Sequence, residues 1–299
     1  MKKRDAFIIG LVQHRSASDV ASNYKIAEEG IRKAHRMGAQ IICLQELFRS
    51  YYFCTIEEHK NFELSEELTG ETLNYFQPIA KELDVVLVLP IFEKRAVGVY
   101  HNSAVVLDAD GSDLGVYRKM HIPDDPLFYE KFYFAPGDSE EVGEGFKVFQ
   151  TKYADIGVLI CWDQWYPEAA RLTALKGAEV IFYPTAIGWH PSEKSEHGKK
   201  QLEAWQTIQR SHAVANGVYV ASVNRTGHEE TPGTDGIEFF GNSFITDPFG
   251  EVLVQAGAEE EVLVQVCERK LIEETRQHWP FLRDRRIDAY EGVLKRYGK

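Results

Sequence analysis

Ile156-Gly157-Val158-Leu159-Ile160-Cys161-Trp162-Asp163-Gln164-Trp165-Tyr166-Pro167-Glu168 holds a strand, a sharp turn and the start of a helix in one run. The apolar residues 156–160 predict a buried parallel strand. Pro167 suits a first helical turn, where its missing amide hydrogen costs nothing, and Gly177 closes the predicted helix over residues 167–176. Residues 180–183 then read as the next buried strand. Cys161 therefore stands where a strand runs out toward a helix. Such a turn presents a side chain at the carboxyl edge of a sheet, with neighbouring amide N–H groups free to bind an oxyanion. The other three cysteines read as structural: Cys43 lies inside a strand, Cys54 follows Tyr51-Tyr52-Phe53, and Cys267 ends a late strand. They form no CxxC pair for zinc and are too sparse for a disulfide framework, so a reducing cytoplasm is the expected setting.

Outward from that run the same plan recurs. Residues 6–12 predict a strand, Ser18 or Asp19 a cap, and Tyr24, Ala27, Ile31 and Ala34 the buried stripe of a helix that Gly38 ends. Residues 40–44 predict a second strand, 69–83 a helix, 85–92 a strand, and 101–107 and 114–118 two further strands around the turn at 108–111. Beyond the centre, residues 202–216 predict a long helix, and 218–223, 242–246, 251–254 and 261–266 predict strands. Residues 186–200 and 224–239 read as long loops, of the kind that form lids or binding segments. The two halves share a strand-helix-strand plan with no Pro/Gly/Ser-rich linker between them. One domain over residues 1–299 is expected, an α/β fold layered helix, sheet, sheet, helix.

Charge and composition exclude several classes. With 34 Lys and Arg against 46 Asp and Glu, the net charge of −12 disfavours a phosphate-binding face, so no nucleic-acid partner is expected. A content of 44% hydrophobic and 12% aromatic residues is far from that of a disordered chain. The longest uncharged apolar runs, such as 85–92, fall well short of the ~20 residues a membrane helix needs. Lys2-Lys3-Arg4 before an apolar run has the order of a signal peptide, but Asp5 and then Gln13-His14-Arg15 interrupt it, which favours a first buried strand. A soluble protein with no membrane partner is expected.

Two more polar residues stand at strand ends: Glu46 after Ile41-Ile42-Cys43-Leu44, and Lys119 after Gly115-Val116-Tyr117-Arg118. Their surroundings, Leu44-Gln45-Glu46-Leu47-Phe48 and Tyr117-Arg118-Lys119-Met120-His121-Ile122-Pro123, together with the Cys161 run, resemble the three signature blocks of the nitrilase superfamily of carbon–nitrogen hydrolases. Order and spacing match, as does Gly177-Ala178-Glu179, and the likeness spans residues 7–290. The resemblance implies a four-layer αββα sandwich of the nitrilase type, a Glu-Lys-Cys triad of Glu46, Lys119 and Cys161, and a symmetric dimer or a homo-oligomer built from dimers. Glu130, in Tyr129-Glu130-Lys131-Phe132, resembles the second glutamate of carbamoyl-hydrolysing members and would position Lys119 or the substrate nitrogen. The residue types suit their roles. A carboxylate can take the thiol proton and later activate water, an ammonium can stabilise thiolate and oxyanion alongside the amide of Trp162, and a thiolate can attack an amide-like carbon. This chemistry requires no metal and no cofactor. His121 reads as a structural residue orienting its loop.

Members that act on N-carbamoyl amino acids are similar to one another in carrying arginine shortly after the cysteine, where a guanidinium grips a carboxylate. Here Gln164 and Trp165 stand there. Residues 161–171, 182–188 and 278–286 look most like the members that hydrolyse N-carbamoylputrescine to putrescine, carbon dioxide and ammonia in polyamine biosynthesis. The expected partner is thus a small cationic carbamoyl amine. Trp162, Gln164, Trp165, Tyr52 and Trp189 are the expected substrate-binding residues, with Tyr51 as a further aromatic face and Glu229, Glu230 and Asp235 as an acidic rim. Other readings remain: an N-carbamoyl amino acid amidohydrolase of the β-ureidopropionase type, with Arg225 on the carboxylate; a nitrilase or other amidase; or a catalytically silent scaffold of the same fold. A lipoprotein acyltransferase would need membrane helices.

Overall fold

The structure is a computed structural model that describes residues 4–141, 143 and 145–298. The chain opens as β1 (Ala6–Gln13), α1 (Val20–Arg36) and β2 (Ile41–Leu44), then α2 (Glu71–Leu83) and β3 (Val86–Ala96), which continues through β4 (Val99–Leu107) into β5 (Asp113–Arg118). Asp19 caps α1 by accepting from the amide of Ser22, and Gly38, with φ +100°, lets the chain leave the helix. A short turn of helix, α3 (Glu130–Tyr133), precedes the second sheet, which starts with β6 (Val148–Gln150) and β7 (Asp155–Val158). There follow α4 (Pro167–Leu175), β8 (Val180–Thr185), β9 (Gly188–Trp189), α5 (Lys194–Asn216), β10 (Tyr219–Asn224), β11 (Thr226–Glu229), β12 (Ile237–Phe240), β13 (Phe244–Thr246), β14 (Val252–Gln255), β15 (Glu261–Glu268) and α6 (Arg269–His278).

One sheet runs in the order β15-β1-β2-β3-β4-β5 and the other β14-β13-β10-β8-β7-β6. Both have a parallel centre, β1-β2-β3 and β7-β8-β10, flanked by antiparallel strands. The period of two along each strand sorts the layers. Ile41 and Cys43 face the second sheet, with Val158, Val180, Phe182 and Val220 in the same core, whereas Ile42 and Leu44 pack with Tyr24, Ala27, Ile31 and Phe76 of α1 and α2. Ala169, Ala170 and Ala174 of α4 and Ala213 of α5 pack against the second sheet. This is the αββα sandwich expected from the sequence. Among the described residues, no helix is long and apolar enough to cross a membrane.

The strand before Cys161 ends at Val158, two residues earlier than the periodicity predicts, because Cys161–Trp165 forms a 3-10 turn. Gly157 lets α4 lie close: a Cβ there would stand 2.2 Å from Cγ2 of Thr173. Both long loops of the sequence reading are corrected. Residues 186–200 contain β9 and the first two turns of α5, which starts at Lys194 rather than at residue 202. Residues 224–239 contain most of a hairpin, β11–β12, which pairs with β9 in a third, three-stranded sheet. These segments are rich in Gly, polar residues and charge, and only pairing with each other makes them strands. All four cysteines are free and buried.

Candidate active site

Three strand ends and one helical turn bring four functional side chains together. Glu46 follows β2, Lys119 follows β5, Cys161 follows β7, and Glu130 opens α3. The Lys119 ammonium lies 2.8 Å from Oε1 of Glu46 and 2.7 Å from Oε2 of Glu130, and the three side chains are at most 1% exposed. Burial by itself would lower the lysine pKa, but the charges of Glu130 and Glu46 outweigh it and hold the ammonium well above its ordinary value. Burial raises the pKa of the Glu130 carboxyl, against the pull of Lys119. The amide of Asn102, on β4, donates to Oε1 of Glu46 at 2.7 Å, and the phenol of Tyr52 donates to Oε1 of Glu130 at 2.7 Å. Oε2 of Glu46 is buried and has no partner among the described residues.

Cys161 has φ +42°, a left-handed conformation that a non-glycine residue adopts at a cost. Burial pushes its thiol pKa well above the ordinary range, the charge of Glu46 adds to that, and Lys119 opposes it. Oε2 of Glu46 is thus an acceptor that no described residue occupies, on a carboxylate whose charge acts on the Cys161 thiol.

In front of Cys161 opens a cavity of about 400 Å³ whose walls include Trp162, Trp165, Phe128 and Phe240. The buried Glu130 also lines it, as do His190 and the exposed Asp125 and Glu193. No lysine or arginine lines it among the described residues.

The carbon–nitrogen hydrolase family model matches residues 8–277. The chain belongs to the carbon–nitrogen hydrolase family. An N-carbamoylputrescine amidase of Solanum tuberosum is 47% identical over 98% of this chain and 96% of its own length. A citrullinase of Francisella tularensis is 38% identical over 97% of this chain and 98% of its own. The crystal structure of a carbon–nitrogen hydrolase from Helicobacter pylori G27 superposes with a TM-score of 0.93 at 46% identity, covering 98% and 99% of the two chains.

Within this carbon–nitrogen hydrolase, the residues expected to bind substrate divide. Trp162 and Trp165 line the cavity. Tyr52 is buried behind it and touches Glu130 through its hydroxyl. Gln164 is buried away from the cavity, its Oε1 accepting from Trp205 at 2.8 Å and its carbonyl bonded to His212 at 2.8 Å. Trp189 is also committed elsewhere: its indole donates to the Gly198 carbonyl, and its ring packs between Phe240 and the Lys194 ammonium. A position next to the nucleophile in sequence need not share its cavity, because successive residues of a tight turn point to different sides.

The expected acidic rim is displaced too. Glu230, Asp235 and Tyr51 are exposed and do not line the cavity, and Glu229 is buried in an ion pair with Arg225. Arg225, the candidate carboxylate binder, is fully buried. Its guanidinium donates to the carbonyls of Glu46 at 3.0 Å, Leu47 at 2.8 Å and Ser50 at 2.9 Å, and to Glu229 at 2.6 Å. Asn102, Asp125, His190 and Glu193 are the site residues that the sequence reading missed. Asn102 lies in a polar run of its strand, His101-Asn102-Ser103, that by itself points to no site, and the others come together only through the tertiary fold.

Proposed function

We propose that this hydrolase converts N-carbamoylputrescine to putrescine, carbon dioxide and ammonia. The observation that carries the reading is the cavity itself. Its lining includes the carboxylates of Asp125 and Glu193 and the aromatic rings of Phe128, Trp162, Trp165 and Phe240, and no guanidinium or ammonium among the described residues. A distal ammonium is matched there by charge and by cation–π contact, and a distal carboxylate has no counter-charge. Arg225, which could have supplied one, is consumed by four internal acceptors.

In the proposed mechanism the free oxygen of Glu46 takes the Cys161 proton as sulfur attacks the carbamoyl carbon. Lys119 and the amide of Trp162 stabilise the oxyanion. The C–N bond to putrescine then breaks, and the amine leaves with the proton that Glu46 returns. Water, deprotonated by the same carboxylate, displaces the carbamoyl group from sulfur as carbamate, which decomposes to carbon dioxide and ammonia. Glu130, held by Tyr52, keeps Lys119 in place. A homodimer is part of the proposal. Its apolar surface would include Trp279, Phe281, Ile287 and Tyr290, all exposed on the carboxyl-terminal arm, and sedimentation velocity would reveal a monomer if the proposal is wrong.

The deciding experiment is ammonia release from purified enzyme with N-carbamoylputrescine, N-carbamoyl-β-alanine, citrulline and a simple nitrile. The first should be hydrolysed faster than the two carboxylated compounds by at least ~10-fold, since a distal carboxylate would face Asp125 and Glu193 with no cation to pair with. Preference for N-carbamoyl-β-alanine would overturn the reading. Preference for citrulline would move the chain toward its citrullinase relative.

A further inference from the structure

Asp163 follows the nucleophile by two residues and is fully buried. Its Oδ2 accepts from the amide of Ile160 at 2.9 Å and from the phenol of Tyr117 at 2.7 Å. Its Oδ1 accepts from the amide of His121 at 3.0 Å and lies 2.6 Å from Nδ1 of the same residue. These partners have a pattern. Ile160 immediately precedes Cys161, while Tyr117 and His121 stand two residues before and two residues after Lys119. One carboxylate therefore joins the backbone that carries the nucleophile to both sides of the lysine, across 42 to 46 residues of sequence.

The neighbouring geometry shows that this joint is rigid. The amide of Asp163 donates back to the Ile160 carbonyl at 3.0 Å, so residues 160 and 163 are bonded twice around the left-handed Cys161. A strained backbone conformation persists only where its surroundings over-determine it, and here Asp163 supplies that constraint. The His121 ring is stacked on Tyr166 with centroids 3.7 Å apart and planes 6° from parallel, which fixes the imidazole against the far end of the same turn. Tyr117 is 1% exposed and its ring belongs to the core between the sheets. The rings of His121 and Tyr117 are thus held by packing on their own side of the joint, while Ile160 is tied to Asp163 itself.

We infer that Asp163 is a positioning residue that sets the Cys161 thiol against the Lys119 ammonium. The inference rests on the roles proposed above for those two residues. An Asp163→Asn variant keeps the shape of the side chain, but its amide nitrogen must face one of the two amides, Ile160 or His121, and neither can become an acceptor. One side of the joint is left open.

Two readouts on the full-length enzyme test this. With the best substrate of the panel, Asp163→Asn should lower kcat by at least about 30-fold with KM within about 3-fold, in keeping with the cost of a small misplacement of reacting groups. Alkylation of Cys161 by iodoacetamide, followed by mass spectrometry of its peptide, should slow in parallel, while circular dichroism and the native fraction stay unchanged. Tyr117→Phe removes one of the bonds and should lower both rates about 3- to 10-fold, which keeps the test intact if Asp163→Asn does not fold. Rates within 3-fold of wild type for a folded Asp163→Asn, an unaffected Tyr117→Phe, a rise in KM at constant kcat, or losses that only follow the native fraction would each overturn the inference. Because alkylation needs no substrate, it tests Asp163 even if no compound of the panel is hydrolysed, an outcome that would count against the proposed function alone.

Discussion

At the scale of single residues, the chemistry turns on one oxygen. Oε1 of Glu46 is engaged by Lys119 and Asn102, whereas Oε2 is buried without a donor among the described residues. The mechanism proposed above gives that oxygen the Cys161 proton, because a carboxylate oxygen with no hydrogen bond to lose is free to accept one. Glu46→Gln and Lys119→Ala should each reduce ammonia release by at least ~100-fold. Cys161→Ala should abolish it. Cys43→Ala, Cys54→Ala and Cys267→Ala should remain active and lose stability only, since these thiols are buried and are assigned no role in the mechanism. Initial rates on folded proteins check the set, and near-normal turnover in any of the first three variants would show that the roles are misassigned. Glu46, Lys119 and Cys161 were legible as polar residues just past predicted strands, and the resemblance of their surroundings to the family's signature blocks singled them out, whereas Glu130 was legible through the resemblance alone. Gln164 was misread because it lies in that same run but turns into the core.

Among the elements, the β11–β12 hairpin matters most for holding the site. Arg225 and Glu229 form a buried ion pair at its base, and the pair reaches outward to both catalytic loops. The guanidinium binds the carbonyls of Glu46 and of Leu47, whose φ is +49°, while Oε2 of Glu229 accepts from the amide of Tyr52 at 2.6 Å. Tyr52 in turn holds Glu130. The hairpin therefore supports Glu46 through the backbone and Glu130 through a side chain. Glu229→Gln leaves the guanidinium buried without its counter-charge and should cost about 3–5 kcal/mol, as breaking one side of a buried pair commonly does. Urea unfolding at constant m-value measures it. A loss under about 1 kcal/mol would mean that the carbonyl acceptors alone satisfy Arg225. No sequence pattern announced this hairpin, because its strands are short, carry Gly and charge, and are defined by pairing with β9 and with each other.

For the whole molecule, the clearest coupling to solution conditions is His14, at the end of β1. Burial, with a smaller contribution from Arg225, lowers its pKa to about 4 against the stabilising bond to the Arg15 carbonyl. Its Nδ1 lies 2.9 Å from that carbonyl, and its Nε2 is buried without a partner among the described residues, so the fold favours the neutral ring. The unfolded chain takes up the proton near the ordinary value of 6.5. The folded pKa is the lower one, so the contribution to stability is complete above about pH 6.5 and is lost as pH falls toward 4. A difference of about 2.5 units corresponds to roughly 3 kcal/mol. The melting temperature should fall across that interval more steeply for wild type than for His14→Asn. Equal slopes would assign the acid sensitivity to other groups.

The sequence by itself determined the layers of the sandwich and the placing of Glu46, Lys119 and Cys161 just past strands. Both are local properties: a period of two or 3.6 selects strand or helix, and a polar side chain just past an apolar strand stands at the sheet edge whatever the rest of the chain does. Three-dimensional packing alone decided what surrounds those residues. Asp125 and Glu193 are far apart in sequence and line one cavity, Arg225 is drawn inward by three carbonyls of the distant segment 46–50, and Gln164 is taken by Trp205 on α5. Charge and hydrogen-bond partners are set by distance in space, and for these residues the separation along the chain carries no record of it.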